Sequence, residues 1–273
     1  MTTSPDQFTL GLLPEPPPIR LRDYDIILIN TSAGKDSQAM LDYIVEQAKA
    51  EGVMDRLVAV HADLGRVEWA GTRELAEAQA KHYGIRFEVV KRNGGDLLEH
   101  IEKRGMWPSM KQRYCTSDYK RAPVRTLMTR LVQERGWQKG DPRIRTLNCM
   151  GLRAEESSAR SKRAPFSHDD DDSNKTKRDV DECLPIHNWS EREVWKRIYD
   201  SGVPHHKAYD FGMKRLSCVF CVFAPPKALL IAGQHNPELL ADYVAAEQRM
   251  GHTFRVDQSL VEIQNAINKG PGR

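Results

Sequence analysis

No window of the sequence approaches the roughly 18 uninterrupted apolar residues of a membrane-spanning helix. No basic segment followed by an apolar core opens the chain, as a secretory signal would require. Cysteine is scarce: five residues, an odd number, in a chain of 273. That is too few for the disulfide framework of a small secreted domain. These absences lead to the expectation of a cytoplasmic protein without membrane contact, whose cysteines serve as thiols, metal ligands or catalytic groups. An excess of either charge is also missing, since 41 Lys and Arg stand against 38 Asp and Glu for a net charge of +3. Charge alone therefore identifies no nucleic-acid partner. There is no internal repeat. What remains is a globular composition, 40% apolar and 29% charged, of a length that suits one large domain or a domain with an appended subdomain.

Short apolar runs alternate with amphipathic stretches. Asp25–Asn30, Arg56–His61, Ile85–Val90 and Ile144–Met150 read as strands. Gln38–Lys49, Gly71–Tyr83 and Pro123–Arg135 read as the helices between them. Such alternation predicts an α/β fold, a doubly wound parallel sheet that binds ligands at the carboxyl ends of its strands. The run Pro14-Glu15-Pro16-Pro17-Pro18 marks residues 1–20 as an extended arm. A nucleotide-binding core is expected over 21–157, and a mobile charged loop over 158–178, where apolar residues almost vanish and Asp169–Asp172 read as solvated rather than as a metal site. A mainly helical C-terminal region is expected over 179–273. There, Ser190 and Glu193 form a capping box for a helix reaching Tyr199, and Pro226–Ile231 and Pro237–Met250 continue the helical pattern.

Ser32-Ala33-Gly34-Lys35-Asp36-Ser37 lies between the first strand and the first helix. Small residues let successive backbone amides turn toward one anion, and the helix N-terminus adds partial positive charge. Lys35 supplies a point charge for phosphate oxygens, Ser32 and Ser37 supply hydroxyls, and Asp36 is placed to hold a divalent ion. The Walker pattern G-x-x-x-x-G-K-[ST] is absent. Asp63, at the end of the second strand, is a candidate for a ribose hydroxyl or the ion, or else a turn residue. Gly151 lets backbone approach a nucleotide while Arg153 reaches a phosphate. Arg160 is either a second phosphate or substrate contact or a surface ion pair.

The loop Ser32–Ser37 resembles the SGGKDS pyrophosphate loop of the PP-loop ATP pyrophosphatases, with Ala33 in place of the first glycine. Further segments fall in the order of the sulfonucleotide (PAPS) reductase-like branch: His61–Gly65, Arg113–Thr116 with Lys120, Gly151–Ser157 with Arg160, Pro185-Ile186 with Trp189-Ser190, and Cys218–Cys221. The resemblance covers residues 25–225 and implies the Rossmann-like adenine nucleotide α-hydrolase fold. It implies binding of ATP with Mg2+ and cleavage between the α and β phosphates. Lys35, Asp36 and Ser37 are then the catalytic candidates, and Ser32, Ala33, Gly34, Asp63, Gly151, Arg153 and Arg160 complete the nucleotide site.

Cys218-x-x-Cys221 is half of a metal site by spacing. Cys115 occupies the place where related reductases carry a cysteine pair, and Thr116 stands at the second position. Arg113–Thr116 and the Cys-x-x-Cys are more similar to those of the ATP pyrophosphatases of bacterial DNA phosphorothioation. This resemblance implies a [4Fe–4S] cluster on Cys115, Cys218 and Cys221, with zinc as the competing occupant. Cys183 is a candidate fourth ligand, and Cys149 reads as a buried strand residue. Trp107 and Trp189 are expected to pack, and His205-His206 to face solvent. The implied function is adenylation of a DNA backbone phosphate for sulfur insertion, with a cysteine desulfurase as sulfur donor and other phosphorothioation proteins as partners. A sulfonucleotide reductase, which would require a redox cysteine near the C-terminus, a tRNA thiolase and a non-catalytic nucleotide-binding scaffold are the alternatives.

Overall fold

A computed structural model describes residues 19–269; the expected arm lies outside them except for its last two residues. A six-stranded sheet runs through the molecule in the order β3-β2-β1-β4-β6-β5. Its strands are β1 (Ile26–Asn30), β2 (Leu57–Asp63), β3 (Arg86–Lys91), β4 (Ile144–Met150), β5 (Phe166–His168) and β6 (Arg178–Cys183). All neighbours pair in parallel except β5, which joins β6 antiparallel at one edge. The α/β class and the parallel sheet expected from the sequence are therefore present.

The central strand explains the layering. Alternate side chains of a strand point to opposite faces, and both faces of β1 are apolar. Ile27 and Ile29 join Met40, Leu41 and Ile44 of α1 (Lys35–Glu51), together with Val194 and Ile198 of α7 (Glu191–Ser201). Ile26 and Leu28 join Val124, Leu127, Met128 and Leu131 of α5 (Ala122–Glu134). Helix α2 (Thr72–His82) completes the first of these layers through Ala80. A third core holds the C-terminal part, where α8 (Pro226–His235), α9 (Pro237–Met250) and α10 (Leu260–Asn268) pack on α3 (Leu97–Arg104) through Leu98, Leu229, Tyr243 and Ile263. Trp107 packs there as expected, stacked 5.5 Å from Tyr243.

Residues 158–178 do not form the expected loop. They contain the short helix α6 (Ser158–Ser161), strand β5 and a tight turn, and β6 extends the sheet beyond the core boundary placed at 157. The charges that suggested solvation are used internally. Asp172 is 4% exposed and accepts from Arg125, while buried Arg178 donates to the Asp172 carbonyl at 2.6 Å and to Thr129 Oγ1 at 3.0 Å. Asp170 and Asp171 remain exposed.

The chain runs outward from β1 through β2 to β3, then crosses back to β4 on the other side of β1. The topological switch point thus lies between the carboxyl ends of β1 and β4, where open α/β sheets bind ligands. Asn30 closes this seam, its Nδ2 donating to Asn148 Oδ1 at 2.7 Å and to the Cys149 carbonyl at 3.0 Å.

Candidate active site

The turn Ser32–Ser37 leaves β1 at the switch point and enters α1 with Gly34 as N-cap. Ala33 adopts φ +55°, the one non-glycine residue with positive φ among those described. This left-handed conformation costs an L-residue about 1–2 kcal/mol, which accounts for the glycine that the resemblance places there. Ser37 folds the turn on itself: its Oγ donates to the Gly34 carbonyl at 2.9 Å and accepts the Ser32 amide at 3.1 Å. Gly151 lies directly against the turn. A Cβ there would meet the Asp36 carbonyl carbon and oxygen and the Ser37 nitrogen at 2.9 Å each.

Lys35 is 2% exposed despite its charge. Its Nζ donates to the Lys214 carbonyl at 2.8 Å and lies 3.4 Å from Asp36 Oδ2 and 3.6 Å from Glu191 Oε1. A buried ammonium is retained only with such partners. The other oxygen of Asp36 accepts Arg153 Nε at 2.6 Å, and Arg153 is itself 3% exposed. The structure thus brings Lys35, Asp36, Ser37, Gly151 and Arg153 together, with both Asp36 oxygens facing cations.

A second cationic group adjoins this pair. Arg160 ion-pairs with Glu156, whose other oxygen lies 3.1 Å from Arg215. Burial, reinforced by the charges of Arg215, Arg113 and Arg153, lowers the Arg160 pKa to about 10, with Asp36 opposing. Glu156 also accepts the Arg153 backbone amide at 3.1 Å, so one carboxylate ties the guanidinium groups of Arg160 and Arg215 to the turn that carries Arg153. Asp63 serves the turn after β2, its Oδ1 accepting the Gly65 amide at 2.7 Å while its Oδ2 lies 3.9 Å from Lys91.

The cysteines divide into two groups. Cys115, in α4 (Tyr114–Thr116), and Cys218 pack against the third core, and Cys221 follows Cys218 by three residues. Burial raises the pKa of Cys218, and the charges of Cys221, Glu68 and Cys115 add to the rise while Lys120 opposes it. Cys115 is raised by burial as well, with Cys221 contributing. Three thiols within electrostatic reach of one another have the donor chemistry of a thiophilic metal or cluster site, although no three His, Cys, Asp or Glu among the described residues are gathered into a closed metal-binding group. Cys183 does not join them. It stands in register with Cys149 across β4 and β6, and both are buried in the sheet layer against α1. The fourth-ligand candidate is thereby corrected: the alternation of β6 turns Cys183 into a different core.

The sequence reading also missed residues. Tyr209, Lys214, Glu191 and Arg215 reach the site from the C-terminal region. Tyr209 Oη accepts the Lys35 amide at 2.7 Å. Only the capping position of Glu191, the first residue of α7, carried any local signal. His206, expected to face solvent, is 4% exposed and caps the turn that carries Tyr209, its Nδ1 accepting the Ala208 amide at 3.1 Å.

The fold and switch-point turn define a Rossmann-like α/β protein. The phosphoadenosine phosphosulfate reductase domain family matches residues 26–224, and the chain belongs to that family. It is 29% identical over 226 residues to an uncharacterized protein of Methanocaldococcus jannaschii, covering 82% of this chain and 48% of the relative. It is 26% identical over 208 residues to the adenosine 5'-phosphosulfate reductase of Allochromatium vinosum, covering 74% and 70% respectively. The chain thus spans about half the length of the archaeal relative. Among solved structures, the phosphoadenylyl-sulfate reductase of Candida auris superposes with a TM-score of 0.46 at 19% identity, over 70% of this chain and 80% of that one. The U34-tRNA thiolase of Methanococcus maripaludis, solved with its [4Fe-4S] cluster, gives 0.44 at 16% identity, over 83% and 70%. Among the described residues, no helix is long and apolar enough to cross a membrane.

Proposed function

We propose that this chain is an ATP pyrophosphatase that adenylates a DNA backbone phosphate, so that sulfur can replace a nonbridging oxygen. The observation that carries the ATP step is the buried Lys35 at the N-terminus of α1, beside the Asp36–Arg153 pair at the switch point. In this reaction a phosphate oxygen of the acceptor attacks the α-phosphorus of ATP, and the bond to the bridging oxygen of the β-phosphate breaks. Pyrophosphate leaves with the electron pair. The Lys35 ammonium and the partial charge of the helix N-terminus offset the charge that develops on it. Magnesium accompanies ATP in this reading. Arg153 holds Asp36 in place, and the arginines around Glu156 offer a second anionic group, the acceptor phosphate, its electrostatic complement. Hydrosulfide then attacks the acceptor phosphorus and loses its proton, and the activated oxygen departs as part of AMP.

The DNA acceptor is supported by the resemblance of Arg113–Thr116 and Cys218–Cys221 to the phosphorothioation pyrophosphatases. In that reading Cys115, Cys218 and Cys221 would hold the [4Fe–4S] cluster, which supplies an iron able to carry sulfide. A cysteine desulfurase, with a thiol reductant that takes its persulfide sulfur to sulfide, and DNA-selecting proteins are then the partners. A second reading, sulfonucleotide reduction, is favoured by the relative from Allochromatium vinosum.

The test is product analysis. Incubation with ATP, host DNA and sulfide should release AMP and pyrophosphate, and Lys35→Ala and Asp36→Ala should abolish release while leaving the circular dichroism spectrum intact. Deletion of the gene should remove phosphorothioate-linked dinucleotides from nuclease digests. Sulfite formed from a sulfonucleotide would select the second reading, and loss of a thiolated tRNA base would select a thiolase.

A further inference from the structure

The residue that the proposed reaction uses most heavily, Lys35, is bonded by one distant segment at both its backbone amide and its ammonium. Its backbone amide, at the first position of α1, donates to Tyr209 Oη at 2.7 Å. Its ammonium donates to the Lys214 carbonyl at 2.8 Å. A Cβ on Gly34 would lie 3.5 Å from both Tyr209 Oη and Leu216 Cβ, so the segment packs directly on the turn. Amides in the first turn of a helix have no intrahelical acceptor and are the groups that bind anionic oxygens. Here two oxygens from one segment take the amide and the ammonium of the same residue.

We infer that Tyr209 is a positioning and specificity-determining residue of the nucleotide site, its hydroxyl holding the Lys35 amide in the place that a phosphate oxygen takes. The inference rests on the ATP-binding reading. A ligand with a pyrophosphate group must exchange Tyr209 Oη for its own oxygen. A monophosphate that stops short of Lys35 need not. Tyr209 therefore weakens ATP and pyrophosphate relative to AMP, and the exchange shifts a ring that stands 5.1 Å from Trp195, edge to face.

Tyr209→Phe tests this because the ring and its packing remain while the hydroxyl is lost. Without the phenol the Lys35 amide is left without an acceptor until a phosphate arrives. The whole chain should then bind ATP and inorganic pyrophosphate about threefold to tenfold more tightly, the range expected for one net hydrogen bond, with AMP affinity unchanged. In the wild-type chain, pyrophosphate should change tryptophan fluorescence, and Trp195→Phe should remove that change; this measurement stands even if Tyr209→Phe fails to fold. Equal or weaker ATP binding by folded Tyr209→Phe, an equal shift for AMP, or pyrophosphate binding without a Trp195 signal would overturn the assignment of Tyr209 alone. Wild-type chain that binds neither ATP nor pyrophosphate overturns the nucleotide reading and this inference with it.

Discussion

Gly151→Ala isolates the contact between the end of β4 and the Ser32–Ser37 turn. The added Cβ would sit 2.9 Å from three atoms, all of them backbone: the Asp36 carbonyl carbon and oxygen and the Ser37 nitrogen. Ordinary carbon contacts lie near 3.5–4.0 Å, so relief requires about half an ångström or more of movement. No flexible side chain is available to yield. Overpacking of this kind costs about 1–3 kcal/mol, or roughly 2–4 °C in melting temperature for each kcal/mol in a domain of this size class. Movement of Asp36 also strains its 2.6 Å bond to Arg153, so ATP affinity should fall together with stability. Gly52→Ala is the matched control. Gly52 ends α1 at φ +71° with nothing within 4 Å of a Cβ, so alanine there incurs a backbone cost of about 1–2 kcal/mol without touching the site. Thermal melts and calorimetric titration of both variants give the comparison. Wild-type ATP affinity in Gly151→Ala, or an equal loss in Gly52→Ala, would refute the argument from close approach.

Ala33→Val should destabilise the chain by about 2 kcal/mol or more, since a β-branched side chain tolerates the left-handed region poorly and Ala33 is fully buried; Ala33→Gly should stay within about 1 kcal/mol of wild type because relieved strain and added chain entropy oppose each other, as urea unfolding would register. Burial lowers the His206 pKa, with His205 adding to the fall and the Ala70 backbone and Asp210 opposing it. The folded protein therefore favours neutral His206, whose stabilisation is complete above about pH 6.5 and is lost as pH falls through the lowered folded value; His206→Asn should flatten this acid limb in denaturation measured from pH 7.5 to 5. Anaerobically reconstituted protein should hold about four irons per chain, reduced by Cys115→Ser, Cys218→Ser and Cys221→Ser and unaffected by Cys149→Ser; elemental analysis that finds stoichiometric zinc and no iron would refute the cluster.

The legible parts of the fold are those where local pattern and tertiary demand agree. Strand β4 and helix α9 have the limits read from the sequence, and the Ser190–Glu193 capping box opens α7, with Ser190 Oγ accepting the Glu193 amide at 3.2 Å. Strand β5 escaped because three residues carry no period, and only pairing with β6 makes them extended. Helix α3 escaped despite Asp96, which caps it by accepting the Glu99 amide at 2.9 Å. In the candidate site, Lys35, Asp36, Gly151 and Arg153 follow strands and were legible for that reason. Tyr209 and Lys214 reach Lys35 across 174 and 179 residues, and no local pattern records such contacts.

The segment that meets Lys35 ends in the first cysteine of the Cys-x-x-Cys pair. From Lys214, whose carbonyl bonds the Lys35 ammonium, only Arg215, Leu216 and Ser217 intervene before Cys218. Four residues of fully extended chain span at most about 14 Å. Cys218, packed on the third core, therefore lies within that reach of Lys214, and any group that it carries is held there by the fold rather than drawn from bulk. The shortness of this connection bounds how far apart the turn and Cys218 can stand. Residues inserted between Lys214 and Cys218 would lengthen it without altering a side chain at either end.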